Sequence, residues 1–67
     1  MTFRNACKLR NEDEIQSKLD KSFWKVISTQ EYDMKPNVNK FGHSKFVNIE
    51  AVNQNGNLNY FTHEEVQ

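Results

Sequence analysis

The chain has 67 residues, nine basic and nine acidic side chains, no net charge and a mean hydropathy of −0.91. At this size one core gives little net stability, so a single domain over residues 1–67 with a lean, aromatic-rich core is expected. The charge balance argues against a strongly basic, non-specific DNA binder and against a strongly acidic mimic of DNA.

No apolar run has membrane-spanning length and no charged-then-apolar leader precedes a cleavage site, so a soluble, cytoplasmic chain with no membrane partner is expected. Cys7 is the only cysteine, which excludes an internal disulfide and suits a reducing compartment. It is expected to be a small buried hydrophobe on a strand.

From the start, Thr2 to Leu9 alternates, with Phe3, Cys7 and Leu9 on one side and Arg4, Lys8 and Arg10 on the other. This predicts a first strand, with Asn5 its weak inner position. Asn11-Glu12-Asp13-Glu14 then has the form of a helix start, and Ile15, Leu19 and Phe23 recur every four residues. A helix from Glu12 to about Ser22 is predicted, braced by a Glu14–Lys18 pair.

Trp24 to about Tyr32 is rich in β-formers and predicts a strand. Its inner face is either Trp24, Val26 and Ser28 or Lys25, Ile27 and Thr29; the tryptophan side is preferred because indole buries more area. Asp33 to Ser44 follows as a long connection, marked by Pro36, Asn37, Asn39 and Gly42. It overlaps the interval Met34 to Asn48, which carries Lys35, Lys40, Lys45 and His43 without a carboxylate.

Lys45 to Val66 reads as a hairpin closed by Asn55-Gly56 and followed by a short cap. A two-residue type I′ turn there pairs Ala51 with Tyr60 and Ile49 with Thr62. That register puts Val47, Ile49, Ala51, Leu58, Tyr60 and Thr62 on the core face. Phe46, Asn48, Glu50, Val52, Asn57, Asn59 and Phe61 take the other face. Thr62-His63-Glu64-Glu65 forms a capping box, with Thr62 and Glu65 as the reciprocal pair.

The expected class is therefore α+β: a four-stranded, strongly twisted antiparallel sheet or partial barrel in the order β-α-β-β-β, with one helix packed on it and a short C-terminal helical turn. The stretch from Trp24 to Val66 resembles the last strands of small SH3-like barrels, from which the chain departs by its helix between the first two strands. With nine Asn, seven Lys and two Gly, the composition is similar to that of small phage-encoded proteins that bind host machinery. The resemblance implies a module that binds and modulates or inhibits a larger host protein.

Chemistry-bearing motifs are sparse. His43, His63, Cys7 and Glu64-Glu65 lack His-x-x-x-His, Cys-x-x-Cys or EF-hand spacing, and Phe41-Gly42-His43-Ser44 precedes a strand rather than a helix. No catalytic residue, metal or cofactor is expected. Two binding readings compete. A protein partner would be held by Phe41, Phe46 and Phe61 with Lys35, Lys40, His43 and Lys45 around them, although Phe46 and Phe61 could instead form a second small cluster under the helix. Nucleic acid would be held by the Arg4, Lys8 and Arg10 face with Lys35, Lys40 and Lys45, and Phe41 or Tyr32 would stack on a base. A third reading pairs the uncharged edge Asn57 to Thr62 with a second copy, making a homodimer.

Overall fold

The computed structural model describes all 67 residues. Its elements run α1 (Phe3–Cys7), β1 (Glu14–Gln16), β2 (Phe23–Asp33), β3 (Lys45–Val52), β4 (Leu58–Thr62) and a terminal 3₁₀ turn (His63–Glu65). The four strands form one antiparallel sheet in the order β1-β2-β3-β4. Beyond the 3₁₀ turn the chain returns beside β1, where Ser17 bridges Val66 and Gln67 donates to the Gln16 carbonyl at 2.9 Å. That return curls the sheet into a half-barrel. The α+β class thus holds, but the helix precedes the first strand instead of following it.

Two local expectations exchange places. Residues 3–7 are helical because Thr2, in extended backbone, caps them by accepting the Asn5 amide at 3.1 Å. One turn brings Phe3 and Ala6 onto the core, and Cys7 is left exposed, not buried. Residues 12–22 form no helix. Glu12 and Lys21 sit at φ 76° and 62°, left-handed backbone that no right-handed helix contains. Asn11 donates its side-chain amide to the Ile27 carbonyl instead of capping. A narrow stripe of three apolar residues stabilises an isolated helix poorly, whereas pairing Ile15 with Trp24 buries the isoleucine. Glu14 then lies opposite Lys25, not against Lys18.

In β2 the tryptophan side faces inward as far as Val26. A bulge between Val26 and Ser28 then changes the parity, so that Thr29 lies opposite buried Ile49 and Ser28 is exposed. The core is Ala6, Ile15, Val26, Val47, Ile49, Ala51, Phe61 and Val66, with Met1, Phe3, Leu9 and Trp24 packed on it.

The β3–β4 register is one residue away from the expected one. Ile49 pairs with Phe61 and Ala51 with Asn59. Gly56 donates to the Asn53 carbonyl, Asn53 donates to the Asn57 carbonyl, and the Asn53 side chain accepts from Asn55 and Asn57. With Gly56 at φ 81°, this is a three-residue loop with a bulge, not a two-residue turn. A one-residue slip inverts a strand. Phe61 therefore goes inside, and Leu58 and Tyr60 go outside. The terminal turn matches expectation: Glu65 accepts the Thr62 amide at 2.9 Å in a capping box.

Candidate functional site

The long connection is built like the hairpin turn. Asn39 donates to the His43 carbonyl, Gly42 donates to the Asn39 carbonyl, and the Asn39 side chain accepts from the Phe41 and His43 amides. Gly42 takes the left-handed conformation at φ 81°. This tip folds onto the terminal turn. Glu64 Oε2 accepts from Asn39 Nδ2 at 3.0 Å and lies 2.8 Å from His43 Nδ1, while Lys40 reaches Glu65 at 3.2 Å. Carboxylates distant in sequence thus meet Lys40 and His43 of the basic interval. Burial works to raise the Glu64 carboxyl, but the hydrogen bonds from Asn39 and His43 at Oε2 outweigh it and hold it at about 2.

Docking the tip completes one wall of a cleft on the open side of the half-barrel. Its opposite wall is the 17–22 connection, with Lys18, Leu19 and Asp20, and its bank is β4 at Asn59 and Tyr60, whose ring lies on the convex face with its hydroxyl donating to Glu50 at 3.1 Å. Trp24 and Phe61 form the floor, edge to face with ring centres 5.4 Å apart. Trp24 is fixed from behind by its indole N–H, which donates to Ser22 at 2.8 Å. Ser22 in turn donates to Asp20 from hydroxyl and amide, which lowers the Asp20 carboxyl. The cleft encloses about 530 Å³. Leu19 is 95% exposed and Phe41 42%.

Of the residues expected to bind a partner, Lys40 and Phe41 line this cleft, with Lys40 over the Phe41 ring at 5.3 Å. His43 anchors the loop. Lys35 is exposed 3.9 Å from Asp33, and Lys45 lies over Phe3 at 5.8 Å. Phe61, 7% exposed, is corrected from surface anchor to core residue because the hairpin register inverts its strand. Phe46 lies on the opposite, convex face and stacks on Tyr32, so it neither reaches the cleft nor clusters with Phe61. Arg4 belongs to α1, with Lys8 and Arg10 in the segment after it, so the three do not form the expected strand face. Along edge strand β4, the Asn59 side chain accepts the Tyr60 amide and Glu65 accepts the Thr62 amide, each at 2.9 Å, which leaves fewer free donors for pairing with a second copy.

Trp24, Leu19 and Glu64 are not among the site residues that the sequence suggests. Leu19 is expected on the packed face of a helix, and that helix does not form. The recurring Asn-x-x-Gly spacing at 39–42 and 53–56 was the available signal for the docked tip.

No group of three or more His, Cys, Asp or Glu side chains is arranged to hold a metal ion, and no helix is long and apolar enough to cross a membrane. No family model matches the chain, and comparison with curated proteins and with solved structures finds no match.

Proposed function

We propose that this chain is a small non-enzymatic binding module that modulates or inhibits a larger protein by seating one of that protein's apolar side chains in the cleft. The observation that carries the reading is the convergence of Leu19 and Phe41, both exposed, on the Trp24–Phe61 floor. Exposing large apolar groups to water is unfavourable, and aromatic anchors inside a polar rim are the usual source of interface affinity. Lys18, Asp20, Lys40 and Asn59 supply that rim. A phage-type role against a host protein is part of the proposal and rests on the Asn- and Lys-rich composition alone.

The nucleic-acid alternative draws less support, because Lys35, Lys40 and His43 each have a carboxylate at 3.9, 3.2 and 2.8 Å. Immobilised protein should retain a partner from lysate through Leu19 and Phe41. Leu19→Asp and Phe41→Ala should abolish retention, and Phe46→Ala on the convex face should not. Retention that survives both cleft variants, or a low-salt electrophoretic shift of DNA or RNA that disappears with added salt, would overturn the proposal.

A further inference from the structure

Behind the cleft, buried His63 accepts the Val47 amide through Nδ1 at 3.3 Å. A ring nitrogen that accepts carries no proton, so the imidazole is neutral with its hydrogen on Nε2. The same nitrogen lies 3.4 Å from Glu64 Oε1. The Glu64 side chain is nine-tenths buried, and Oε1 has no hydrogen-bond donor while Oε2 is held by Asn39 and His43. A buried carboxylate oxygen without a donor is costly and uncommon.

We infer that His63 is a two-position proton switch: neutral, its Nδ1 accepts the Val47 amide; protonated from solvent, Nδ1–H donates to Glu64 Oε1 and the start of β3 loses that bond. The orphaned oxygen is the receiving half of the second state. Glu64 is also the group that fixes the 39–43 tip, so protonation ties the anchor of the Lys40–Phe41 wall more tightly while releasing β3 beneath it. That this regulates partner binding rests on the proposed function; the switch itself does not.

The surroundings set where the switch operates. Burial of the ring works against its protonation, Glu64 favours it, and the Met1 ammonium, His43 and Lys18 oppose it, leaving His63 below its usual value. Phe3 meets the ring edge-on at 5.6 Å, and Lys45 lies over Phe3. Protonation therefore falls on the acid side of an ordinary histidine, below about pH 6.5.

The test is an NMR titration of the intact chain from about pH 7.5 to about pH 4.5, the range that spans histidine ionisation. Ring nitrogen signals should report the Nε2–H tautomer at the start and imidazolium at the end. As the ring protonates, the exchange protection of the Val47 amide should fall about tenfold relative to Ile49, the weight of one backbone hydrogen bond. In Glu64→Gln the midpoint should move to lower pH, because the receiving charge is gone. An Nδ1–H tautomer at neutral pH, a ring that stays neutral until global unfolding, or Val47 protection that does not change on protonation would each overturn the inference. Loss of the switch leaves the Phe41→Ala sensitivity of partner retention in place, and a cleft that binds nothing leaves the ring titration in place, so the two readings fail separately.

Discussion

The turns at 39–43 and 53–57 share one construction and differ in setting. In each, an asparagine side chain accepts two backbone amides, its own backbone closes the loop in both directions, and a glycine sits at φ 81°. The second joins β3 to β4 and carries Gln54 and Asn55 at its crest. The first lies inside a long connection, carries Lys40 and Phe41, and is tied to Glu64 and Glu65. Asparagine and glycine thus define the backbone, while the two residues between them and a pair of distant carboxylates decide whether a turn merely reverses the chain or builds a wall.

The sharpest way to break this comparison is through the register that the second turn imposes. Phe61→Ala empties the floor of the cleft and should cost about 3–5 kcal/mol, whereas Leu58→Ala and Tyr60→Ala, at exposed positions of the same strand, should each cost less than about 1 kcal/mol. Urea denaturation of the three variants measures it. If Tyr60→Ala proves the costlier change, the register is the two-residue one and the turn is not what the backbone bonds indicate.

Acid separates the two turns next, since only the first is held by carboxylates. Glu64 sits at about 2 in the folded chain against an ordinary 4.5, so it binds protons more readily when unfolded. Its contribution is fully present above about pH 4.5 and is lost as pH falls towards 2. His63, also lowered, works in the same direction at higher pH: stability is retained above about 6.5 and declines below it. Stability should therefore fall in two stages on acidification, and Glu64→Gln should shrink the lower one, to which the lowered Glu65 and Asp20 carboxyls also contribute. A wild-type curve that is flat between pH 7 and pH 3, taken on the scale of these ordinary values, contradicts both assignments.

How much of this could be read from residues alone follows from which forces were local. The Thr62–Glu65 cap needs only neighbours, and its expected form is present. The strands around Trp24 and Ile49 have strong β-composition, and both exist. Residues 2–22 were misread because their periodicities are weak: Phe3, Cys7 and Leu9 alternate only in part, and Ile15, Leu19 and Phe23 mark one thin stripe. For such segments, distant partners decide: Ile15 is settled by Trp24 and Ala6 by the half-barrel it covers. The hairpin failed differently. Asn55-Gly56 signals a tight turn, but the Asn53 side chain, two residues earlier, selects the longer loop and so moves Phe61 inside. Half of the cleft was out of reach for a related reason. Lys40 and Phe41 stand out in sequence, but the wall they form depends on Glu64 and Glu65, more than twenty residues away, and on a leucine assigned to a helix.

Smaller effects sharpen the equivalence of the two turns. A Cβ built on Gly42 or Gly56 meets no atom within 4 Å, so Gly42→Ala and Gly56→Ala report backbone strain alone. Each should cost about 1–2 kcal/mol, the penalty of a left-handed L-residue. Denaturation curves that separate the two by more than about 1 kcal/mol would show that the turns are not alike, since conformational strain of this type is a property of the backbone.

The asparagines give the smallest expected effect and the most discriminating one. Asn53→Ala removes an acceptor from two solvent-exposed amides, which water can then satisfy, so about 1 kcal/mol is expected. Asn39→Ala removes the same pair of bonds and also the donor to Glu64, whose side chain is nine-tenths buried and cannot turn to water instead. It should therefore cost more, and part of that excess should disappear in a Glu64→Gln background, where no buried charge is left behind. A double-mutant cycle read by urea denaturation gives that coupling directly. Zero coupling would mean that the first turn stands as free of the terminal turn as the second does, and the wall of the cleft would then have no anchor.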